Sequence, residues 1–385
     1  MLLSDHLAMR LRCPSCAGGG WEEHAYSEDP GSGAIACSDC GRRWLVVAGV
    51  PLMTTPVGVA GSHRTLLEHL DADAGARHLV GASFGRFQAL LGGVPGVLAH
   101  LNDRSLEGAF EVPGAPWISL ARFEWSKFAH LRDLAPEGEC LVDLGCGYGP
   151  SSAPFLASGR VRTAIGVDEN LYFLLLFKRY AQEKELGELG LVCHDVGRTP
   201  LPIGDGSANV LVASSFFNHF ACLKSSRALR GFFGELSRLS PPGGTLLLDM
   251  VPNRRHPFAT EVNLGEVISQ PRLRGAAQRV LRNLPLRWLP GRLTVAALWC
   301  GYRLYMAAGR RRALGLAAFK REVGKAIPES AVGGLPLRLR SHQRLVEGFS
   351  RVELFDEGVL ARQGRLQPVS GAALGIPYFI LRATR

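Results

Sequence analysis

From residue 140 onward, short apolar runs alternate with longer mixed stretches: CLVDLG, RTAIGVD, LVCHDV, ANVLVAS and GGTLLLDM. Each run has strand length, and the intervals are long enough for helices or crossovers. The pattern predicts an α/β unit, a mostly parallel sheet with helices on both faces. Two later runs, SRVELFD and PYFILRATR, are predicted to complete that sheet. Residues 62–135 carry helical periodicity instead, and no internal repeat is visible. Near Thr54, Thr55 and Pro56 the stretch GVPLMTTPVGVAG breaks both periodicities, which predicts a linker. The reading therefore divides the chain into a head (1–56), a helical cap (62–135) and an α/β core (136–385), with an insertion at about 252–345.

Composition adds bounds rather than detail. With 385 residues, 46% hydrophobic and 20% charged, the chain has the make-up of a soluble protein with a sizeable core. No apolar run reaches the roughly 18 residues of a membrane span, and MLLSDHLAMRLRC has no signal-peptide pattern, so the expected location is the cytoplasm. Nine cysteines are too sparse for a disulfide scaffold. Cys140, Cys146, Cys193, Cys222 and Cys300 stand singly and read as small buried residues. Charge is uneven: the net value is +10, yet Val251 to Arg344 holds 18 Lys and Arg against 4 acids. That segment suits an anionic neighbour, and a solvated Arg-rich face explains it equally well.

In a parallel α/β sheet, ligands sit beyond the carboxyl ends of the strands, so the residues ending each run come first. The run LVDLGCGYG ends a strand at Asp143 and continues with Gly145, Gly147 and Gly149 before a helix. Such glycines permit a tight turn and close backbone approach to a ligand. The next strand ends at Asp168, 23 residues after Gly145, where a carboxylate can accept from both ribose hydroxyls. Together these features indicate a nucleoside. Pro150 follows where a dinucleotide fingerprint needs different spacing, so nicotinamide cofactors are disfavoured.

The series DLGCGYG (143–149), Asp168, His194-Asp195-Val196 and PLPIGDGSANVLVAS resembles the class I S-adenosylmethionine-dependent methyltransferases over about 120–250 plus the closing strands. The resemblance implies a Rossmann-like seven-stranded sheet with S-adenosyl-L-methionine as cofactor. It further implies that Asp143, Gly145, Gly147 and Gly149 surround the methionine part and Asp168 binds the ribose. Asp195 would meet the adenine amino group, Val196 would offer its backbone to the ring, and Ser214 would lie at the methyl end. Asn209 and LSPPGG depart from the family pattern at positions that do not touch the cofactor.

Methyl transfer asks the protein mainly to position an acceptor and remove its proton. His219, in SSFFNHF after the fourth strand, is the candidate base, with plain packing as the alternative. The signatures of exocyclic-amine and cytosine-carbon methylation are missing from this stretch. Nearly a hundred residues separate the fifth and sixth strands, which predicts a basic helical insertion that selects substrate. Within it LTVAALWCGYRLYMAAG, with Arg303 near its centre and Arg310, Arg311 and Arg312 after it, reads as a buried lid helix, a membrane-surface segment or an apolar substrate site. Trp117, Phe123, Trp125 and Phe128 read mainly as packing residues of the cap.

The head carries Cys13, Cys16, Cys37 and Cys40, a C-x2-C pair repeated after twenty residues. That spacing suits a structural four-thiolate zinc site, Zn2+ making good the small core of a fifty-residue unit. A redox pair would need a thioredoxin-like context, which is absent. CPSC, IACSDCGRRW and GVPLM resemble the zinc ribbon of the small activator subunit that partners RNA and protein methyltransferases. The expected function is methylation of an O, N or C atom of a small molecule or peptide, anionic or apolar. Its rival is methylation of a ribosomal RNA base, with Arg42, Arg43 and the basic insertion on phosphate.

Overall fold

The computed structural model describes residues 1–58, 61–116, 118–214, 226–252, 300, 348–356 and 378–385. The segments around His219 and Cys222, most of the basic insertion with Arg303 and Arg310 to Arg312, and Trp117 lie outside the described residues.

The head starts with α1 (Asp5–Arg10), capped by the Ser4 hydroxyl, which accepts from the Leu7 N–H. A four-stranded antiparallel sheet follows in sequence order: β1 (Trp21–Ala25), β2 (Gly33–Cys37), β3 (Arg43–Val47) and β4 (Val50–Pro51). The cap is α2 (His63–Asp71), α3 (Asp73–Leu79), α4 (Gly81–Leu91), α5 (Val94–Asn102), α6 (Leu106–Phe110), a 3-10 turn (Leu120–Glu124) and α7 (Ser126–Leu134).

The core then alternates β5 (Gly138–Leu144), α8 (Ala153–Ala157), β6 (Val161–Asp168), α9 (Leu171–Glu183), β7 (Glu188–Cys193) and β8 (Val210–Ala213). It continues with α10 (Ser226–Leu239), β9 (Thr245–Pro252), β10 (Arg351–Asp356) and β11 (Tyr378–Thr384). All seven expected strands form one sheet, in the order β10-β11-β9-β8-β5-β6-β7. The departure from a wholly parallel sheet is β11, antiparallel to both neighbours. It slots between β9 and β10 rather than extending the edge, which places the two last strands beside the core despite their distance in sequence.

Period-two alternation sorts the strand residues onto two faces. Leu141, Val210, Val212, Leu247 and Ile380 pack with Phe128, Leu131 and Phe155. Val142, Ile165, Val167, Leu211 and Leu246 face the other way, against Phe232 and Leu236 of α10 and against Leu3, Leu7, Trp44 and Met53 of the head. The head therefore completes its small core with the sheet itself. Fully burying each such side chain contributes roughly 1.5–3 kcal/mol.

The predicted linker is differently used. Leu52 and Met53 are wholly buried. Leu52 bridges Cys193 in parallel fashion, and the Met53 N–H donates to the Cys193 carbonyl at 2.8 Å. On the other side of the head, Leu11 bridges Ile203. Gly, Pro and Thr do end the periodicities there, but the apolar PLM they enclose docks on the edge of the large sheet.

Candidate functional site: the glycine loop and the thiolate cluster

The glycine loop leaves β5 with Gly145, Gly147 and Gly149 at φ of 71°, 55° and 87°. Two of these positions have opposite surroundings. A Cβ on Gly149 would enter the ring of Phe177 on α9, so the missing side chain lets helix and loop touch. A Cβ on Gly147 would meet nothing within 4 Å, so this backbone borders open space. Gly149→Ala should cost roughly 2–5 kcal/mol of stability, through overpacking and a left-handed φ. Gly147→Ala should cost only about 1 kcal/mol yet narrow the ligand space. Thermal melts paired with cofactor titration check both; equal melting loss in the two variants would contradict the contrast. Tyr148 keys the loop into the cap and α9, packing on Phe110 and Phe123 of the cap and on Phe173 of α9 with centroid separations of 5.6, 5.9 and 5.9 Å.

Asp143 is fully buried. Its Oδ2 accepts from Ser151 Oγ at 2.6 Å and Ser152 Oγ at 2.5 Å, while Oδ1 has no hydrogen-bond partner among the described residues. Burial pushes this carboxyl up to about 6; the two seryl donors pull it down, and Asp249 and Asp168 raise it. A buried acceptor without a donor is costly and marks a place for a cation or donor from outside the chain. Asp168 ends β6, where its Oδ2 accepts from the Gly147 N–H at 2.9 Å and its Oδ1 from the Asn170 N–H at 2.8 Å. The acid is thereby fixed against the loop, in a geometry that can offer both oxygens to a diol.

After β7 the chain turns at His194, Asp195 and Val196. His194 Nδ1 lies 3.0 Å from the Met53 carbonyl and Nε2 3.2 Å from that of Arg198. Burial lowers the His194 pKa, the two carbonyls oppose that shift, and the ring spans from the head to the loop. Asp195 Oδ1 accepts from the Gly197 N–H at 2.8 Å, and Val196 is buried. Arg198 donates to the Thr54 carbonyl at 3.3 Å, a second tie to the head.

At the ends of β8 and β9 the Ser214 hydroxyl donates to Asp249 Oδ2 at 2.9 Å, and Lys127 Nζ from α7 stands 2.7 Å from the same oxygen. Sequence reasoning missed Asp249, Lys127 and the serines. Asp249 did carry a signal, being an acid near the end of an apolar run like Asp143 and Asp168; a lysine in SKFAHL carries none. Among the sequence-predicted cofactor residues, Asp143, the three glycines and Asp168 come together; Asp195 and Val196 follow β7, and Ser214 follows β8. His219 lies outside the described residues.

The four head cysteines also converge. Cys13 and Cys40 sulfurs are 3.7 Å apart, Cys16 and Cys37 3.6 Å, and all four lie within 4.8 Å of one another. A tetrahedral zinc with sulfur ligands at about 2.3 Å requires S···S edges of about 3.8 Å. Each C-x2-C turn has the same build: Ala17 and Gly41 follow the second cysteine at φ of 63° and 68°. Their N–H groups donate to the Cys13 and Cys37 carbonyls, both at 2.8 Å. Two such turns face each other, and the donor set fits a metal ion.

Residues 142–248 match the family described as a methyltransferase domain. No curated protein sequence matches the chain. Similar solved structures include a complex between the Haloferax volcanii Trm112 methyltransferase activator and a methyltransferase (19% identity, 34% of this chain, 56% of that one, TM-score 0.28). Another comes from work on conversion of a disulfide bond into a thioacetal group during echinomycin biosynthesis (14% identity, 67% of this chain, 81% of that one, TM-score 0.37). A third is a SAM-dependent methyltransferase from Methanosarcina mazei (14% identity, 66% of this chain, 96% of that one, TM-score 0.36). The chain spans just over half the length of the first of these.

Proposed function

We propose that this chain, which carries a methyltransferase domain over residues 142–248, transfers a methyl group to an O, N or C atom of a small molecule or peptide. When bound, S-adenosyl-L-methionine supplies a methyl group on a sulfonium, a leaving group that needs no further activation. The chain's own residues bind and orient. The observation that carries the reading is the buried Asp143 carboxylate with Oδ1 unpartnered beside a glycine loop open at Gly147. The methionine ammonium is the natural donor for that oxygen; Gly145, Gly147 and Gly149 line the rest of the amino-acid part. Asp168 takes the ribose hydroxyls, Asp195 the adenine amino group, Val196 the ring, and Ser214 the methyl end. His219 is the residue proposed to take the acceptor's proton. In the head, Cys13, Cys16, Cys37 and Cys40 hold a structural Zn2+, supported by their separations.

Arg42 Nη1 donates to Ser15 Oγ at 2.6 Å, bracing the cysteine turn, and Arg43 sits in the β2–β3 ladder. No described helix is long and apolar enough to cross a membrane.

Asp143 links the reading to pH. Its folded-state pKa, about 6, lies above the ordinary 3.8, so the folded chain holds the proton that an unfolded chain releases. Stability of the unliganded protein should therefore fall as pH rises from about 4 through 6, by roughly 3 kcal/mol from this group. Binding of an ammonium runs the opposite way, because it needs the carboxylate. Calorimetry with S-adenosylhomocysteine should give about tenfold tighter affinity at pH 7.5 than at pH 5. No binding at either pH would sink the methyltransferase reading, and salt-steep RNA affinity without it would favour the rival.

A further inference from the structure

The turn and helix start between Leu120 and Lys127 form a strap anchored at both ends. At one end Phe123 stacks on Tyr180 of α9 with centroids 3.7 Å apart and touches Tyr148 of the glycine loop. At the other, Lys127 and Asp249, the latter within β9, form an ion pair of 2.7 Å with side chains 14% and 0% exposed. Between these anchors stand the strap's outward-facing residues. Trp125 is 43% exposed, a large aromatic that folding leaves in solvent, and its ring lies parallel to that of Phe128 at 6.0 Å. The Arg122 guanidinium sits 4.6 Å from the Trp125 ring centre, and Lys127 Nζ lies 5.9 Å from it.

The two cations differ in what they have left to offer. Lys127 is committed to Asp249, and separating a nearly buried pair would leave a buried charge uncompensated. Arg122 is half-buried, held flat on an aromatic face, and makes no ion pair among the described residues. Stacking restricts the long side chain in advance, and its fork of N–H donors matches an oxyanion in bidentate fashion. Among the described residues none supplies the oxyanion for which Arg122 is thus prepared.

We propose that Arg122 is the specificity residue for the methyl acceptor and that the acceptor carries an oxyanion, a carboxylate or a phosphate monoester, which Arg122 holds as it enters between the glycine loop and the ends of β8 and β9. Trp125 is a positioning residue that fixes the guanidinium. This rests on the methyltransferase reading and deepens it: the acceptor's reactive atom points inward while its acid remains at the strap.

Saturation-transfer NMR on the full chain with S-adenosylhomocysteine present provides the test. The probes are benzoate and phenyl phosphate, with benzyl alcohol as the uncharged match. Both anions should bind at least tenfold more tightly than benzyl alcohol, and their ranking tells carboxylate from phosphate. Arg122→Gln should erase the preference while retaining S-adenosylhomocysteine affinity, and Arg122→Lys should restore part of it. Arg132→Gln, on α7 beside Asp133, should leave the preference intact. Equal binding of charged and uncharged probes, or a preference unchanged in Arg122→Gln, overturns the proposal and leaves the cofactor reading standing. Loss of S-adenosylhomocysteine binding in the unmodified chain overturns that reading instead, and anion preference measured without it still decides whether Arg122 forms the site.

Discussion

Replacing Asp168 with alanine should weaken S-adenosylhomocysteine binding by two to four orders of magnitude. The estimate comes from two hydrogen bonds between a carboxylate and ribose hydroxyls, each contributing roughly 1.5–3 kcal/mol. A second loss compounds it, because the N–H groups of Gly147 and Asn170 both donate to this side chain and lose their acceptor together. The glycine loop is then untied from β6 at the point where it must approach the ligand most closely. Asp168→Asn separates the two effects, since an amide keeps the size and one acceptor oxygen but not the charge. It should bind with intermediate affinity and melt close to the unmodified chain. Calorimetry and thermal melts measure both variants, and an alanine variant of undiminished affinity would remove Asp168 from the site.

Removing the zinc proposed for the four head cysteines should have the next largest effect, and at two places. Elemental analysis should find about one zinc per chain. Chelation, or Cys37→Ser, should unfold the head, because binding energies of about 10–16 kcal/mol in small zinc units are folding energies. The consequence should then travel. Met53 and Thr54 hold the loop after β7 through His194 and Arg198, so a disordered head releases the segment proposed to meet adenine. At least a tenfold loss of S-adenosylhomocysteine affinity should accompany metal loss. Full stability and full affinity in metal-free protein would refute the coupling.

Much of this was legible in the chain, for reasons that differ by element. The strands announced themselves because sheet residues buried on both faces leave continuous apolar runs, and the convergence of the loop glycines with Asp143 and Asp168 because these residues stand at strand ends. The convergence of the four cysteines was legible because two C-x2-C pairs are spaced as a metal site would require. What stayed hidden depends on partners remote in sequence. Whether β11 runs parallel or antiparallel is decided by the path of the chain after β10, which no local pattern records. PLM in GVPLM was apolar enough to be buried, yet its partner Cys193 lies more than a hundred residues away. Lys127 looks like any helical lysine until Asp249 arrives opposite it, and Arg122 stands out only because it makes no ion pair among the described residues.

The docking of Leu52 beside Cys193 carries one more consequence, for solubility. β7 is the outermost strand on its side of the large sheet, and an uncovered edge is a template on which other chains can pair. Here α1 and β4 lie against it, and Leu7 fills the space over Gly190. The head thus guards the sheet against self-association. A chain trimmed back to the large sheet and its helices should expose both a free strand edge and the apolar face that Trp44 and Leu3 cover, and should self-associate.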